Sequence, residues 1–154
     1  MKETLIKQIN FEHWANTELL KTLYKANPLD ERAQLLFSHI LSAGNMWMSR
    51  IKGTAFTTTL FQERTLAECE TLLKENTAMW LAYLDAASEE ELNRIVEFVF
   101  PIDGTKRRIK VSDAIFHITQ HSSYHRGQIV SRIKGSVEPL PLVTYIIYAS
   151  EIVG

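Results

Sequence analysis

Three histidines stand four residues apart in the stretch FHITQHSSYHRGQI, which covers residues 116–129. They are His117, His121 and His125, and the whole chain has only five histidines. Four residues of α-helix turn by about 400° and rise roughly 6 Å, so a helix would place all three on one stripe. Two imidazoles one turn apart can bind a single ion, because zinc–nitrogen bonds measure about 2.0–2.1 Å. The spacing therefore predicts a metal site.

The spacing alone leaves two ligand pairs open. His117 and His125 would lie roughly 12 Å apart along a helix axis, which is too far for them to share one ion. The pair is therefore His117 with His121, or His121 with His125. The competing interpretation is a metal-free bundle with ordinary core histidines, but every buried ring nitrogen would then need its own hydrogen-bond partner.

The two remaining histidines are candidates for a further ligand. His39 lies on the apolar stripe of a predicted second helix, where a core would usually have leucine, and His13 has a similar place in the first helix. If these two helices form an antiparallel pair that turns near Pro28, His39 is level with about Thr17, one turn from His13. His13 and Asn16 could then face the site as ligands, supporting residues or substrate contacts.

Four long amphipathic segments are predicted to be the helices that position these residues. They are residues 3–25, 31–52, 66–87 and 113–134. The predicted helix starts are marked by Asp30, by a capping box of Thr65 with Glu68, and by Ser112. Asn27-Pro28 ends the first helix, because proline disfavours helical backbone in the residue before it. Residues 53–65 then form a connection that is long enough to be a crossover.

The periodicity changes in the segment IVEFVFPIDGTKRRIKV, which is rich in β-branched and aromatic residues on both sides of Asp103-Gly104. This dipeptide predicts a tight hairpin turn in which both residues take positive φ. The segment LVTYIIYASEI predicts a short final helix. The pattern as a whole predicts an all-α four-helix bundle with a short β-hairpin before helix 4 and a short C-terminal helix, in a single domain of residues 1–154.

Composition and charge exclude several functional classes. The chain has 17 lysines and arginines against 18 aspartates and glutamates, so its net charge gives no reason to expect nucleic-acid or anionic membrane binding. No apolar run approaches the roughly 20 residues needed to cross a bilayer. The single Cys69 excludes an intrachain disulfide framework and a cysteine-based zinc site. A reducing, cytoplasmic location is the expectation that follows.

These motifs resemble the DinB-like (damage-inducible) family of four-helix-bundle proteins. The segment HITQHSSYHRGQI is similar to that family's N-H-x-x-x-H-R-G-Q stretch on the last long helix. FEHWANTELL is similar to the aromatic-W-A-N segment of its helix 1. LFSHILSAGNMWMSRI is similar to its helix 2 segment, in which a histidine is followed at a distance by tryptophan. The three segments occur in the family's order.

The resemblance implies an up-down-down-up topology and one divalent metal ion held by His39, His121 and His125. His117 then becomes an outer or pocket residue of the site. Zinc and nickel are the first candidates for the ion, and manganese and iron are compatible, because imidazole suits several metals. Members of the family often pair, so a homodimer is also implied.

Two residues after the last histidine have their own interpretations. Arg126 could pair with a carboxylate across the bundle or bind an anionic substrate, and the structural role is favoured. Gly127 inside a helix costs about 1 kcal/mol relative to alanine. Close approach of a neighbouring helix, such as a subunit contact, would explain its presence.

The predicted function is that of a metal-dependent enzyme acting on a small molecule. Relatives include thiol-dependent transferases, so the resemblance favours an S-transferase that uses a low-molecular-weight thiol. The segment HILSAGNMW also lacks the acidic residues that some relatives carry after the helix 2 histidine, and so has no carboxylate there as general base. A metal-dependent hydrolase and a non-catalytic metal-binding stress-response protein are the alternatives. No catalytic residue is identified beyond the nucleophile that the metal would bind.

Overall fold

The computed structural model describes residues 1–153. Its four long helices are α1 (Lys2–Lys25), α2 (Glu31–Lys52), α3 (Leu66–Ala86) and α5 (Val111–Ile133). Its short elements are helix α4 (Glu89–Asn93), strands β1 (Ile95–Val99) and β2 (Lys106–Lys110), and helix α6 (Tyr145–Ala149). The predicted four-helix bundle with a hairpin before its last long helix and a short helix near the C-terminus is therefore confirmed. No helix within residues 1–153 is long and apolar enough to cross a membrane.

Two of the three predicted helix caps are confirmed. The Asp30 side chain accepts a hydrogen bond from the Ala33 amide, and Thr65 with Glu68 forms a complete capping box. The predicted cap at Ser112 is wrong, because α5 begins at Val111. β2 continues directly into α5, and the Val111 amide is satisfied by the carbonyl of Arg94 instead of by a capping side chain.

The direction of each long helix follows from the helix ends that meet. These pairs are Lys2 of α1 with Asp85 of α3, Asp30 before α2 with Arg132 of α5, and Asn27 after α1 with Ser136 after α5. α1 is therefore antiparallel to α3 and parallel to α5, and α2 is antiparallel to α5. The topology is up-down-down-up.

α1 and α2 lie diagonally across the bundle. Each of them packs mainly against α3 and α5. The two consecutive helices are antiparallel, but they do not form the side-by-side pair on which the register estimate for His13 and His39 was based. The crossover segment, residues 53–65, returns along the bundle so that α3 can run parallel to α2.

The hairpin turn is wider than predicted. β1 and β2 pair from Ile95 with Lys110 to Val99 with Lys106, which leaves residues 100–105 as the loop. Gly104 has φ 69°, but no non-glycine residue within the described range has positive φ, so Asp103 does not take the predicted conformation. Its carboxylate instead accepts hydrogen bonds from Thr105, which closes the loop.

The core consists of two apolar clusters with a polar layer between them. One cluster contains Trp47 and Ile115 at the hairpin end of the bundle, and the other contains Phe37 and Ile129 at the opposite end. The buried polar residues of the middle include Glu12, Asn16, His39, Ser42, Asn76, Thr119, Ser122 and Arg126. This polar layer is where the candidate site lies.

Candidate metal centre

Three histidines from two helices direct their Nε2 atoms to one point. Nε2 of His121 lies 3.2 Å from Nε2 of His39 and 3.1 Å from Nε2 of His125. The three candidate ligand atoms all lie within 4.8 Å of one another. Two ligands about 2.1 Å from one ion are separated by about 3.0–3.4 Å at octahedral or tetrahedral angles. The three histidines could therefore hold a metal ion, and we call them the histidine triad.

Hydrogen bonds to the outer nitrogens fix how two of these rings present their lone pairs. His39 Nδ1 lies 3.0 Å from the Leu60 carbonyl oxygen, and His125 Nδ1 lies 2.7 Å from Oε1 of Gln128. Both oxygens are acceptors, so each Nδ1 must carry the proton and donate it. In the neutral ring, each Nε2 is then an unprotonated nitrogen whose lone pair is aimed at the centre of the triad. This is the arrangement in which proteins commonly orient histidine ligands.

With every ring neutral, the three converging Nε2 atoms carry at most one proton among them. His121 has one Nε2 and can donate at most one hydrogen bond from it, whereas the lone pairs of both His39 and His125 face that atom. Burial lowers the pKa of His121 to about 3, and burial also lowers the pKa of His39. Both rings are therefore neutral near pH 7, and the donor set fits a divalent cation.

The crossover segment closes one side of the triad. The Phe61 ring stacks on His39 with ring centres 4.1 Å apart and planes 6° from parallel. Hydrogen bonds from Ser38 to the Gln62 carbonyl and from Gln34 to the Arg64 carbonyl hold this segment against α2. From its sequence, this segment is predicted only to be a connection. The apolar pair Leu60-Phe61 in a threonine-rich stretch was the available signal, and Gln128 could have been found by its i+3 spacing from His125.

His117 lies one helical turn before His121 on α5 and is not part of the triad. Its ring centre is 5.7 Å from that of His121 and 5.4 Å from that of Trp47. Burial, with a smaller contribution from the charge of Arg50, lowers the pKa of His117. Of the two pairs that the spacing left open, the structure joins His121 and His125 with His39.

His13 faces a different neighbour from the one expected. Its Nδ1 lies 2.9 Å from Oγ1 of Thr77 on α3. Thr77 donates its own proton to the Leu73 carbonyl, so His13 is the donor in the contact. The diagonal placement of α1 and α2 explains this, since it turns His13 toward α3.

Asn16 and Arg126 belong to a buried ion-pair network between α1 and α5. Nη1 of Arg126 donates to Oε2 of Glu12 at 2.8 Å and to Oδ1 of Asn16 at 3.0 Å. Asn16 in turn donates to Oε1 of Glu12 at 2.9 Å. Arg126 thus has the cross-bundle carboxylate partner that its structural interpretation requires.

The charges that act on the triad and on His117 are positive. Arg32 lowers the pKa of His39 and Arg50 lowers the pKa of His117, each as a smaller cause beside burial. Within residues 1–153 the cluster of potential metal ligands contains histidines only. The site therefore offers a metal three neutral nitrogens and no carboxylate.

A family model described as the DinB family matches residues 2–145, a range that includes all five histidines. No curated protein and no solved structure matches the chain significantly.

Proposed function

Because the chain belongs to the DinB family, we propose that His39, His121 and His125 bind one divalent metal ion and that the protein is a metal-dependent enzyme. The convergence of three Nε2 atoms from α2 and α5 is the observation that carries this proposal. Zinc and nickel are the first candidates, and manganese and iron are compatible with imidazole ligands.

The reaction that the site supports best is transfer of a small thiol to an electrophile. A divalent ion held by three neutral imidazoles is a Lewis acid that lowers the pKa of a bound thiol or water toward neutrality. Sulfur is favoured over water because the cluster of potential ligands has no carboxylate and the α2 segment after His39 offers none as general base. The thiol sulfur forms a bond to the electrophilic carbon, the leaving group departs with the bonding electron pair, and the thiol proton passes to solvent.

The protein's own residues supply orientation and shielding. Leu60 and Gln128 fix the outward nitrogens of two ligands, so each lone pair is aimed before any ion binds. Phe61 covers the face of His39, and Trp47 is a buried wall beside His117. Such fixed ligands lower the reorganisation that binding requires.

Metal content tests the ligand assignment directly. His121→Ala should abolish stoichiometric zinc or nickel binding, because His121 contacts both other rings of the triad. His13→Gln is the matched control, since its ring is hydrogen-bonded to Thr77 on α3, and this variant should retain the full metal content. Equal metal content in both variants would refute the assignment.

Turnover tests the reaction. Metal-loaded protein is incubated with a panel of low-molecular-weight thiols and chlorodinitrobenzene, and conjugation is followed by absorbance. We expect thiol-dependent product that is lost in His121→Ala. Ester or amide cleavage without a thiol requirement would instead indicate the hydrolase. Full metal occupancy without turnover across the panel would indicate a metal-binding protein that is not an enzyme.

A further inference from the structure

Arg50 lies at the hairpin end of the histidine row, packed between aromatic rings. Its guanidinium carbon is 4.8 Å from the centre of the Trp47 ring and 5.0 Å from the centre of the Phe98 ring. Trp47 in turn contacts His117, whose ring follows that of His121 in the row. Arg50 is therefore connected to the triad through a continuous row of contacts that runs over Trp47 and His117.

Arg50 has no acidic partner. The buried Arg126 is paired with Glu12 at 2.8 Å, whereas none of the ion pairs found between residues 1 and 153 includes Arg50. Glu97, the one acid of β1, is exposed on the strand face opposite to Phe98. Burial lowers the pKa of Arg50, but a guanidinium remains charged at physiological pH. A half-buried cation of this kind favours an anion from solution.

Stabilisation of the helix end does not account for this placement. Arg50 and Lys52 both stand in the last turn of α2, where positive charge interacts favourably with the helix dipole. Lys52 does so from an exposed position. The dipole gives no reason for holding the guanidinium of Arg50 against two rings and beside His117.

We propose that Arg50 binds an anionic group, a carboxylate, on the small molecule whose reacting end meets the triad. This inference rests on the proposed function and specifies its substrate class. A guanidinium can donate two parallel hydrogen bonds to a carboxylate, and the faces of Trp47 and Phe98 hold it in position. The carboxylate belongs either to the thiol or to the electrophile.

The test compares thiols that differ only in a terminal carboxylate. Mercaptohexanoate and mercaptohexanol are titrated into cobalt-loaded protein, and binding is read from the visible cobalt bands. Arg50→Gln should weaken mercaptohexanoate about tenfold or more and leave mercaptohexanol unchanged. Arg50→Lys keeps the charge but loses the paired hydrogen bonds, so its affinity for mercaptohexanoate should lie between those of the wild type and Arg50→Gln. Arg108→Gln, which removes an exposed arginine of β2, is the matched control and should alter neither thiol.

A second arm assigns the carboxylate to the electrophile. If Arg50→Gln leaves both thiols unaffected but raises KM about tenfold for chloronitrobenzoate and not for chlorodinitrobenzene, the anion belongs to the acceptor. The proposal is overturned if Arg50→Gln changes neither the relative affinity for the two thiols nor the relative KM for the two electrophiles.

A third arm separates this inference from the proposed function. If neither thiol changes the cobalt spectrum, the thiol reaction is refuted, and the anion site is read from quenching of tryptophan fluorescence by hexanoate. Quenching that is present in the wild type and lost in Arg50→Gln supports the site. Quenching that is equal in both proteins, or that is absent from the wild type, refutes it.

Discussion

His125 owes the direction of its lone pair to a single neighbour one turn along the same helix. Oε1 of Gln128 accepts a hydrogen bond from Nδ1 at 2.7 Å and so leaves Nε2 free to bind a metal. Gln128→Leu removes this acceptor, and we expect metal affinity to fall by roughly 10–100-fold. Gln128→Glu keeps an acceptor of similar size and should preserve the affinity. Competition with a chromophoric chelator measures both, and equal affinities for the two variants would show that Gln128 does not set the tautomer.

At the level of residues, sequence spacing indicated much of the triad but not its surroundings. The i,i+4 spacing of His121 and His125 is a local property of one helix, so it could be read without a fold. The contacts of His39 with Leu60 and Phe61 join residues 21 and 22 positions apart through a crossover, and no local pattern encodes them. The place of His39 on the apolar stripe of α2 makes it a candidate for the third ligand, and the family resemblance implies the same residue.

A junction between elements ties the hairpin to the bundle. Arg94 donates two hydrogen bonds to Glu91, and a third to the carbonyl of Ile51 near the end of α2. Tyr83 also donates to Glu91. The hydrogen bonds from Arg94, with a smaller contribution from Tyr83, hold the pKa of Glu91 at about 2. The ionised carboxylate is therefore the form that the folded protein favours.

This junction gives stability a defined pH dependence. The folded pKa of Glu91 is depressed from 4.5 to about 2, so its contribution is present above pH 4.5 and is lost as the pH falls toward 2. Glu91→Gln should lower the free energy of unfolding by about 1 kcal/mol near neutral pH, after allowance for the partial exposure of the pair. The difference from wild type should shrink steadily below pH 4.5. Urea unfolding of both proteins across this range measures it, and a pH-independent difference would contradict the assignment.

At the level of elements, the caps that could be predicted were those made by side chains. Asp30 and Thr65 stand immediately before α2 and α3, and each side chain accepts a hydrogen bond from an amide in the first turn of its helix. The start of α5 was misplaced because its first amide is satisfied by Arg94, a residue that the hairpin brings alongside. The diagonal position of α1 and α2 could not be predicted from local patterns either, because it depends on how the apolar faces of all four helices pack together.

Substitution of Gly127 can distinguish a monomer from a homodimer. A Cβ at this position would meet no atom of the chain within 4 Å, and the helical backbone there needs no glycine. In a monomer, Gly127→Ala should therefore raise stability by about 1 kcal/mol through helix propensity alone. If Gly127 instead lies at a contact between the two copies of the predicted homodimer, the same change should weaken association.

Thermal unfolding and sedimentation velocity of Gly127→Ala decide between these outcomes. Gly135→Ala serves as the control, because Gly135 has φ 91° after the end of α5 and a side chain there is strained. This variant should be less stable whatever the oligomeric state.

Metal binding should stabilise the whole molecule by mass action. A cation that binds the folded triad and not the unfolded chain adds about 2.7 kcal/mol when its free concentration is 100 times its dissociation constant. Addition of zinc to metal-free protein should therefore raise Tm in proportion to the logarithm of its concentration. The same titration of His121→Ala should be flat, and a parallel rise in that variant would place the stabilising ion elsewhere.

His39 and His121 are 82 positions apart, and the crossover segment packs on His39 at their meeting point. An ion bound there would cross-link α2 to α5. Through His39, it would also hold residues 53–65 in place against the bundle. In protein from which a chelator has removed the metal, a protease would then cut first within this segment. In a cell, the rate at which the protein is degraded would therefore rise as the available metal falls.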